Sequence, residues 1–291
     1  MRGFTIEQPD TLQEALELIA PDDPGIRAIA GGTGLTPLMK YDFFQPTTLV
    51  SLGRLAPGFS GIDLLPDGGF RLGAMSTLRD LERSGALVEA LPIVAQALHM
   101  LATVRVRNVA QLGGAIAHGH PQMDLPPVLV ALGARVLARS AGGERWIDAE
   151  NLFTGYYETS LKRDELITEV TVPGQGDHRG VYRKLTERTV DDWPMLGIAA
   201  IAGIESGRVS RISVAIGAIG DRPIRLGDLQ TALAEAEPTP EQIRSVAEET
   251  AARIEYRDRP FASIRYQRQL VAVHLRRALE SVLSAPAEGR H

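Results

Sequence analysis

A pair of adjacent glycines followed by a single acid is the feature that most limits how this chain can fold. Gly113 and Gly114 lie between apolar residues, and Asp124 stands directly before an apolar helical segment. A second glycine loop, Ala30–Gly34, follows a strand-like run nearer the start of the chain. Glycine tolerates positive φ and has no Cβ that would keep a phosphate away from the backbone. Two such loops predict one anionic, dinucleotide-like ligand held mainly by backbone N–H groups.

Each part of this pattern also has a purely structural interpretation. The first loop could be a tight connection after a strand, and Gly113-Gly114 could be a bulge in a buried strand. The first loop does not match G-x-G-x-x-G, and no helix clearly begins inside it, so a Rossmann site is not predicted. Asp124 could cap the following helix or accept hydrogen bonds from a ligand, and the two roles are compatible.

Five other side chains are candidates with competing interpretations. His118 and His120 form an H-x-H pair, but no nearby Cys or third His completes a metal site, and none is predicted. Thr77 stands at a helix start and is most simply its cap, with a cofactor contact as the alternative. Lys184 lies among alternating residues, where a solvated side chain is the default. Trp193 stands between acids and proline, which favours an ordered lid or interface.

The composition excludes several classes of function. The 291 residues contain no cysteine, so disulfides, a Cys nucleophile and iron–sulfur clusters held by this chain are excluded. A net charge of -5 without a long basic run argues against nucleic acid or a membrane surface as partner. No apolar run approaches the ~20 residues that span a bilayer, and no apolar signal core is present, so a cytoplasmic location is expected.

A turn-rich gap at Pro173–Asp177 is the predicted domain boundary. Before it, alternation predicts a strand over Leu166–Val172. After it, a hairpin turn at Glu205–Arg208 joins two predicted strands. The remaining predictions used below are a helix capped by Asp10, a helical segment over 88–101, a strand around 181–184, and helices near 241–253 and 262–283.

Several short motifs occur in one order along nearly the whole chain. The most specific are Val106-Arg-Asn108, Leu112-Gly-Gly114, Ile116-Ala-His118 and Asp124-Leu-Pro-Pro127. Further ones are Ala30-Gly-Gly-Thr33, Gly73-Ala-Met-Ser-Thr77, Phe153-Thr-Gly155, Glu165-Leu-Ile167, Arg183-Lys184, Asp192-Trp193 and Arg265-Tyr266. Together they resemble the FAD-binding (medium) subunit of the molybdenum hydroxylases, a family that includes carbon monoxide and xanthine dehydrogenases.

The resemblance implies an α+β fold with an FAD-binding domain of the PCMH type. Residues 1–175 would form this domain, from subdomains of about 1–55 and 56–175 that clasp a non-covalent FAD. Residues 176–291 would form a C-terminal antiparallel sheet with helices.

The resemblance also implies a set of cofactor-binding residues, with no catalytic acid or base. The first loop and Gly113-Gly114 would hold the pyrophosphate and ribityl chain. Leu101 would lie near the adenine and Lys184 near the flavin ring. The full implied set is Ala30, Gly31, Gly32, Thr33, Gly34, Thr77, Leu101, Gln111, Gly113, Gly114, Ala115, Asp124, Ile167, Lys184 and Trp193.

The implied function is an oxidoreductase subunit that relays electrons within a hetero-oligomer. A large molybdopterin-binding subunit would oxidise the substrate at its molybdenum cofactor. A small 2Fe-2S subunit would pass the electrons to this chain's flavin, which reduces an external acceptor.

Three residues depart from the family pattern at the cofactor loops. Gly34, Gln111 and Ala115 stand where other polar side chains are common. Two lost neutral hydrogen bonds at roughly 0.5–1.5 kcal/mol each predict weaker but retained FAD binding. The alternative is a non-catalytic structural subunit that has lost FAD. A free-standing flavin oxidoreductase is a third hypothesis, against which the C-terminal Arg265-Tyr266 pattern argues.

Overall fold

The computed structural model describes residues 3–234, 236–257 and 262–284, which form three successive units. The predicted C-terminal limit at residue 291 lies outside these residues. Within these ranges no strand pairing crosses from one unit to the next, so each of the larger sheets is confined to one unit. In the described ranges no helix is both long and apolar enough to cross a bilayer.

The first unit is a small parallel α/β layer with strand order β1-β3-β2. Helix α1 begins at a capping box, in which Thr11 Oγ1 accepts the Glu14 N–H and the Glu14 carboxylate accepts the Thr11 N–H. The prediction of Asp10 as the cap is therefore wrong by one residue. The elements are β1 (Thr5–Glu7), α1 (Leu12–Ile19), β2 (Ile26–Ile29), α2 (Leu35–Lys40), β3 (Thr48–Ser51), a 3-10 turn (Gly53–Leu55) and α3 (Ala56–Phe59).

The second unit combines seven helices with a five-stranded sheet of order β4-β5-β10-β6-β7. This sheet is antiparallel, whereas the first is parallel. The elements are β4 (Ile62–Leu64), β5 (Phe70–Gly73), α4 (Leu78–Arg83), α5 (Gly85–Ala90), α6 (Pro92–Met100), α7 (Val104–Arg107), α8 (Leu112–Ala117), α9 (Leu125–Leu132), β6 (Arg135–Ser140), β7 (Gly143–Asp148), α10 (Ala149–Leu152), β8 (Phe153–Gly155), β9 (Glu158–Thr159) and β10 (Leu166–Val172).

Two sequence predictions for this unit have different outcomes. Strand β10 has the predicted bounds. The single helical segment predicted over 88–101 is instead two helices, because Pro92 cannot continue the preceding helix and begins a new one at its first position.

The third unit is a four-stranded antiparallel sheet of order β11-β12-β13-β14 covered by helices. One face of β12 packs Ile201 on the core of the second unit, and the other packs Ile198 beneath α13. The sheet is therefore fixed against the second unit, which sets its β11 beside α6. The elements are β11 (Arg179–Leu185), β12 (Leu196–Glu205), β13 (Arg208–Gly217), β14 (Ile224–Arg225), α11 (Gly227–Leu233), α12 (Pro240–Arg253) and α13 (Ile264–Leu283).

Candidate cofactor site

The two glycine loops lie against one another. A Cβ added at Gly31 would be 2.8 Å from the Val109 carbonyl carbon and 3.1 Å from the Ala110 Cα, so the first loop touches the backbone that leads into α8. A Cβ added at Gly114 would be 3.5 Å from the Ala30 Cβ, an ordinary contact. The fold therefore brings together two loops that are far apart in the chain.

The first loop presents a run of unused backbone donors. None of the hydrogen bonds between described residues uses the N–H groups of Gly31, Gly32, Thr33 or Gly34. Gly32 has φ of 69°, a left-handed conformation that favours glycine. Consecutive N–H groups in such a turn form a concave site for an anion.

The second loop is the first turn of α8, so the interpretation of Gly113-Gly114 as a strand bulge is wrong. The Leu112 N–H donates to the Ser76 carbonyl at 3.0 Å, and the Gly113 N–H donates to the Ala74 carbonyl at 2.7 Å. The hydrogen bonds between described residues leave the Gly114 N–H without an acceptor. Because Gly114 is exposed and Gly113 is buried, Gly114 presents the open donor.

Several predicted residues border these loops. Thr77 caps α4 through a capping box with Asp80 and forms a bridge with Gln111, whose amide donates to the Met75 carbonyl at 3.1 Å. The Ile167 carbonyl faces Gly113, 3.4 Å from the position of a Cβ there. Ala115, the next residue of α8, is half-buried.

Asp124 and Lys184 form a buried ion pair that joins the second and third units. The Lys184 ammonium lies 3.1 Å from Asp124 Oδ2, and the two side chains are 1% and 6% exposed. The Tyr182 hydroxyl donates to Asp124 Oδ1 at 2.8 Å. Asp124 occupies the N-cap position of α9 but makes no capping hydrogen bond. Lys184 is buried, so the default expectation of a solvated side chain on this strand is wrong.

The electrostatics of this pair follow from burial. Burial raises the pKa of the Asp124 carboxyl to about 6, while the charge of Lys184 and the hydrogen bonds from Tyr182 and Lys184 act in the opposite direction. Burial and the neighbouring Asp124 also raise the pKa of Tyr182 well above its usual value, so this phenol stays a donor. The charges are therefore compensated within the protein.

Trp193 lies in a loop tied back to the second unit. Its indole centroid is 4.4 Å from the His120 ring, and the Gln122 amide donates to the Pro194 carbonyl at 3.0 Å. The Asp192 carboxylate accepts the Thr189 N–H at 3.1 Å. Trp193 remains 54% exposed, so an ordered loop presents an aromatic face to its surroundings.

The H-x-H pair packs on aromatic rings. The Tyr157 ring lies 5.0 Å from His118 and 4.8 Å from His120, and Gly119 between them has φ of 64°. Among the described residues no group of three or more His, Cys, Asp or Glu could hold a metal ion. The ring contacts place the pair against the hairpin of β8 and β9.

His120 is expected to make the protein less stable in mild acid. Burial and the neighbouring His118 lower its pKa from 6.5 to about 4. As the pH decreases, His120 is protonated in the unfolded chain before it is protonated in the folded protein. The free energy of unfolding therefore falls as pH decreases from about 6.5 towards about 4. His120→Asn keeps an acceptor for the Gln122 N–H, and its melting temperature should fall less across this window.

Thermal unfolding between these two pH values measures the effect. His99→Asn is the comparison variant: the His99 imidazole is 83% exposed and lies 3.6 Å from the Glu82 carboxylate, so removing it should not lessen the loss of stability in acid. An unchanged pH dependence in His120→Asn would contradict the assignment.

Sequence reasoning missed several residues that build this site. Tyr182 lies two residues before Lys184 on one strand, so period-two alternation places both on one face, and that signal was available. Arg107 belongs to a motif noted above, but nothing in the sequence indicates its partners. Gln122 and Tyr157 carry no local signal.

Two family models match the chain. Residues 2–175 match a model described as the FAD binding domain in molybdopterin dehydrogenase. Residues 181–282 match one described as the CO dehydrogenase flavoprotein C-terminal domain.

Individual relatives are similar over almost their full length. The nicotine 6-hydroxylase medium subunit of Paenarthrobacter nicotinovorans is 31% identical over 93% of this chain and 94% of its own length. The structure of carbon monoxide dehydrogenase from Hydrogenophaga pseudoflava superposes with a TM-score of 0.92 at 29% identity, covering 97% of each chain. Quinoline 2-oxidoreductase from Pseudomonas putida 86 gives a TM-score of 0.90 at 26% identity, again over 97% of each chain.

Proposed function

Since the chain belongs to the FAD-binding medium subunits of the molybdenum hydroxylases, we propose that its FAD is held at the two adjoining glycine loops. The chain is thus the flavoprotein subunit of an oxidoreductase, and its α+β fold agrees with the one expected. The observation that carries the proposed site is the set of unused N–H groups at residues 31–34 and at Gly114. FAD, when bound, accepts and passes on electrons at its isoalloxazine ring.

The donor set of the site suits a pyrophosphate. Backbone N–H groups of the first loop and of the first turn of α8 converge on one region, and the dipole at a helix N-terminus favours negative charge. The proposed binding residues are those implied by the sequence: residues 30–34, Thr77, Leu101, Gln111, Gly113, Gly114, Ala115, Asp124, Ile167, Lys184 and Trp193. Of these, Gly113 acts by packing, since it is buried and its N–H donates to the Ala74 carbonyl, and the backbone around Ile167 is proposed to bind further along the FAD.

The departures from the family pattern leave this donor set intact. A Cβ at Gly34 would be 3.0 Å from the His118 ring, so the imidazole occupies space that a side chain there needs. Gln111 uses its amide on the Met75 carbonyl. The lost side-chain contacts thus weaken FAD binding, while the backbone donors that carry the charge of the phosphates remain.

The division of labour in the proposed complex follows from what this chain lacks. Its sequence contains no cysteine, so it cannot ligate an iron–sulfur cluster through its own thiolates. A small 2Fe-2S subunit is the proposed electron donor, and a large molybdopterin-binding subunit is the proposed place of substrate oxidation. The proposed domains are 1–55, 56–175 and 176–291, which is supported by sheets that do not cross these limits.

The absorption spectrum of the purified protein tests the proposal directly. Flavin bands that persist after gel filtration, and copurification of a cysteine-rich small protein with a large molybdopterin protein, are expected. A folded protein that neither carries FAD nor takes it up on titration would instead support the alternative, a structural subunit without cofactor.

Trp193 is proposed to line the face of the flavin that meets the acceptor. Trp193→Ala should change the rate at which the reduced flavoprotein is reoxidised, because the exposed indole is removed from an ordered loop. Rapid mixing of reduced protein with acceptor measures this rate.

Trp146→Ala is the matched control, since Trp146 is the only other tryptophan and lies on β7. If Trp193→Ala and the wild type are reoxidised at equal rates with FAD fully bound in both, Trp193 does not line the flavin face that meets the acceptor.

A further inference from the structure

The turn between α6 and α7 has three consecutive carbonyls that accept from two buried cations. The Lys184 ammonium donates to the Met100 carbonyl at 2.8 Å. Arg107 Nη1 donates to the Leu101 carbonyl at 2.8 Å and to the Ala102 carbonyl at 2.7 Å. The Arg107 and Lys184 side chains are 8% and 1% exposed, so both charges are withdrawn from water.

Arg107 is itself held in a fixed orientation by an acid. Its Nε and Nη2 donate to the two carboxylate oxygens of Glu82 at 2.9 and 3.0 Å. Such a bidentate pair fixes the plane of the guanidinium. Burial raises the pKa of Glu82, but the hydrogen bonds and charges of Arg107 and Arg79 outweigh it, so the pKa is lowered and the carboxylate stays ionised.

The turn is held in an unfavourable backbone conformation. Ala102 has φ of 47°, a region that residues with a Cβ seldom occupy. A conformation of this kind persists only where the surroundings impose it, and here Arg107 contacts the carbonyls on both sides of the strained residue.

The orientation of the two carbonyls bound by Arg107 determines where the N–H groups of the turn point. In a trans peptide the carbonyl and the following N–H point in opposite directions. Because the Leu101 and Ala102 carbonyls face Arg107, the N–H groups of Ala102 and Thr103 are directed away from it. The hydrogen bonds of the described residues give neither of these N–H groups an acceptor. The turn therefore offers two donors on the side opposite to the buried cations.

We infer that Arg107, fixed by Glu82, is a positioning residue that shapes this turn into the surface that receives the adenosine half of FAD, and that it sets the preference for FAD over FMN. The inference rests on the proposed function, which includes Leu101 among the FAD-binding residues, and on the family resemblance, which implies that Leu101 lies near the adenine. Adenine nitrogens accept hydrogen bonds and would match the two free donors. FMN lacks the adenosine half and makes no use of this turn.

Flavin selectivity of Arg107→Lys tests the inference. Lysine keeps the positive charge but cannot bind Glu82 and two carbonyls at once, so the turn loosens. Titration of the apoprotein should show an FAD dissociation constant raised by about tenfold, or about 1.4 kcal/mol, with the FMN constant unchanged within about twofold. Arg71→Lys is the matched control, because Arg71 binds Asp63 at the surface of the same unit, and it should change neither constant.

Ala102→Gly keeps the test decisive if Arg107→Lys does not fold. Glycine accepts a φ of 47° without strain, so this variant should fold and melt no lower than the wild type. The looser turn should nevertheless weaken FAD and leave FMN unaffected, a combination that a purely structural role does not produce.

The outcomes separate two failures. Equal weakening of FAD and FMN, or no weakening of either, would overturn the inference alone. Failure of the wild-type protein to bind FAD would overturn the proposed function, and the inference with it.

Discussion

Gly114→Val is expected to abolish FAD binding while leaving the fold intact. Outside the helix's own backbone, a Cβ at this position meets only the Ala30 Cβ, at 3.5 Å, so the protein itself has room for a Cβ there. The isopropyl group would, however, fill the space between the two glycine loops and cover the unused Gly114 N–H. A loss of affinity of about 100-fold or more, corresponding to about 2.7 kcal/mol, should appear when the apoprotein is titrated with FAD.

Two other glycines make this experiment specific. Gly113→Val is not a clean test of phosphate approach, because a Cβ there would be 2.7 Å from the Ala74 Cβ and would disturb the packing of α8. Gly85 also occupies the first turn of a helix and has no atom within 4 Å of an added Cβ, so Gly85→Val is the matched control. Unchanged FAD affinity in a folded Gly114→Val protein would place the cofactor elsewhere.

Local patterns predicted those parts of the fold that local physics determines. Strand β10 has the predicted bounds because polar and apolar residues alternate from Glu169 to Val172 and Pro173 ends it. The turn between β12 and β13 has Ser206 and Gly207 at φ of 50° and 81°, the conformations that a two-residue hairpin turn requires. Helix α13 shows where such reasoning ends. Ile264, at the start of this helix, is apolar but 43% exposed, and the first buried apolar residue of the helix is Val271, two turns later.

The site was predictable as a set of loops but not as a network of contacts. Gly113 and Gly114 are the same residue type, yet a Cβ at Gly113 would be 2.7 Å from the Ala74 Cβ, whereas one at Gly114 would make only an ordinary contact with Ala30. Lys184 looks solvated in a strand pattern, and only the packing of β11 on α6 buries it beside an acid 60 residues earlier in the chain. Such pairings depend on how units pack, which periodicity and capping rules do not encode.

The Asp124–Lys184 pair shows why burial changes the meaning of a motif. Asp124 was a candidate helix cap or an acceptor of hydrogen bonds from a ligand. In the structure its two carboxylate oxygens accept hydrogen bonds from Tyr182 and Lys184. Removing one partner of a buried pair leaves an uncompensated charge. The motif acid therefore holds the second and third units together at the edge of the proposed site, whatever contact it makes with the cofactor.

Gly31→Ala is expected to damage both stability and cofactor binding. An added Cβ would collide with the Val109 carbonyl, and the atoms around it are backbone atoms that cannot rotate away. The segment that would have to move leads into α8, whose Leu112 and Gly113 N–H groups are anchored on Ser76 and Ala74. We expect a destabilisation of about 2 kcal/mol or more, which thermal unfolding of the apoprotein should show as a melting temperature lower by several degrees.

Gly114→Ala is the matched comparison for stability, since its Cβ makes only an ordinary contact with Ala30. Its melting temperature should equal that of the wild type, whereas that of Gly31→Ala should be lower. Gly31→Ala should also lose FAD, because the two glycine loops are displaced together. Equal melting temperatures for Gly31→Ala and the wild type would mean that the loop and the residues before α8 can separate at little cost. The backbone contact would then not be what holds the two glycine loops in register, and the donors at residues 31–34 and Gly114 would have to converge on the phosphates for another reason.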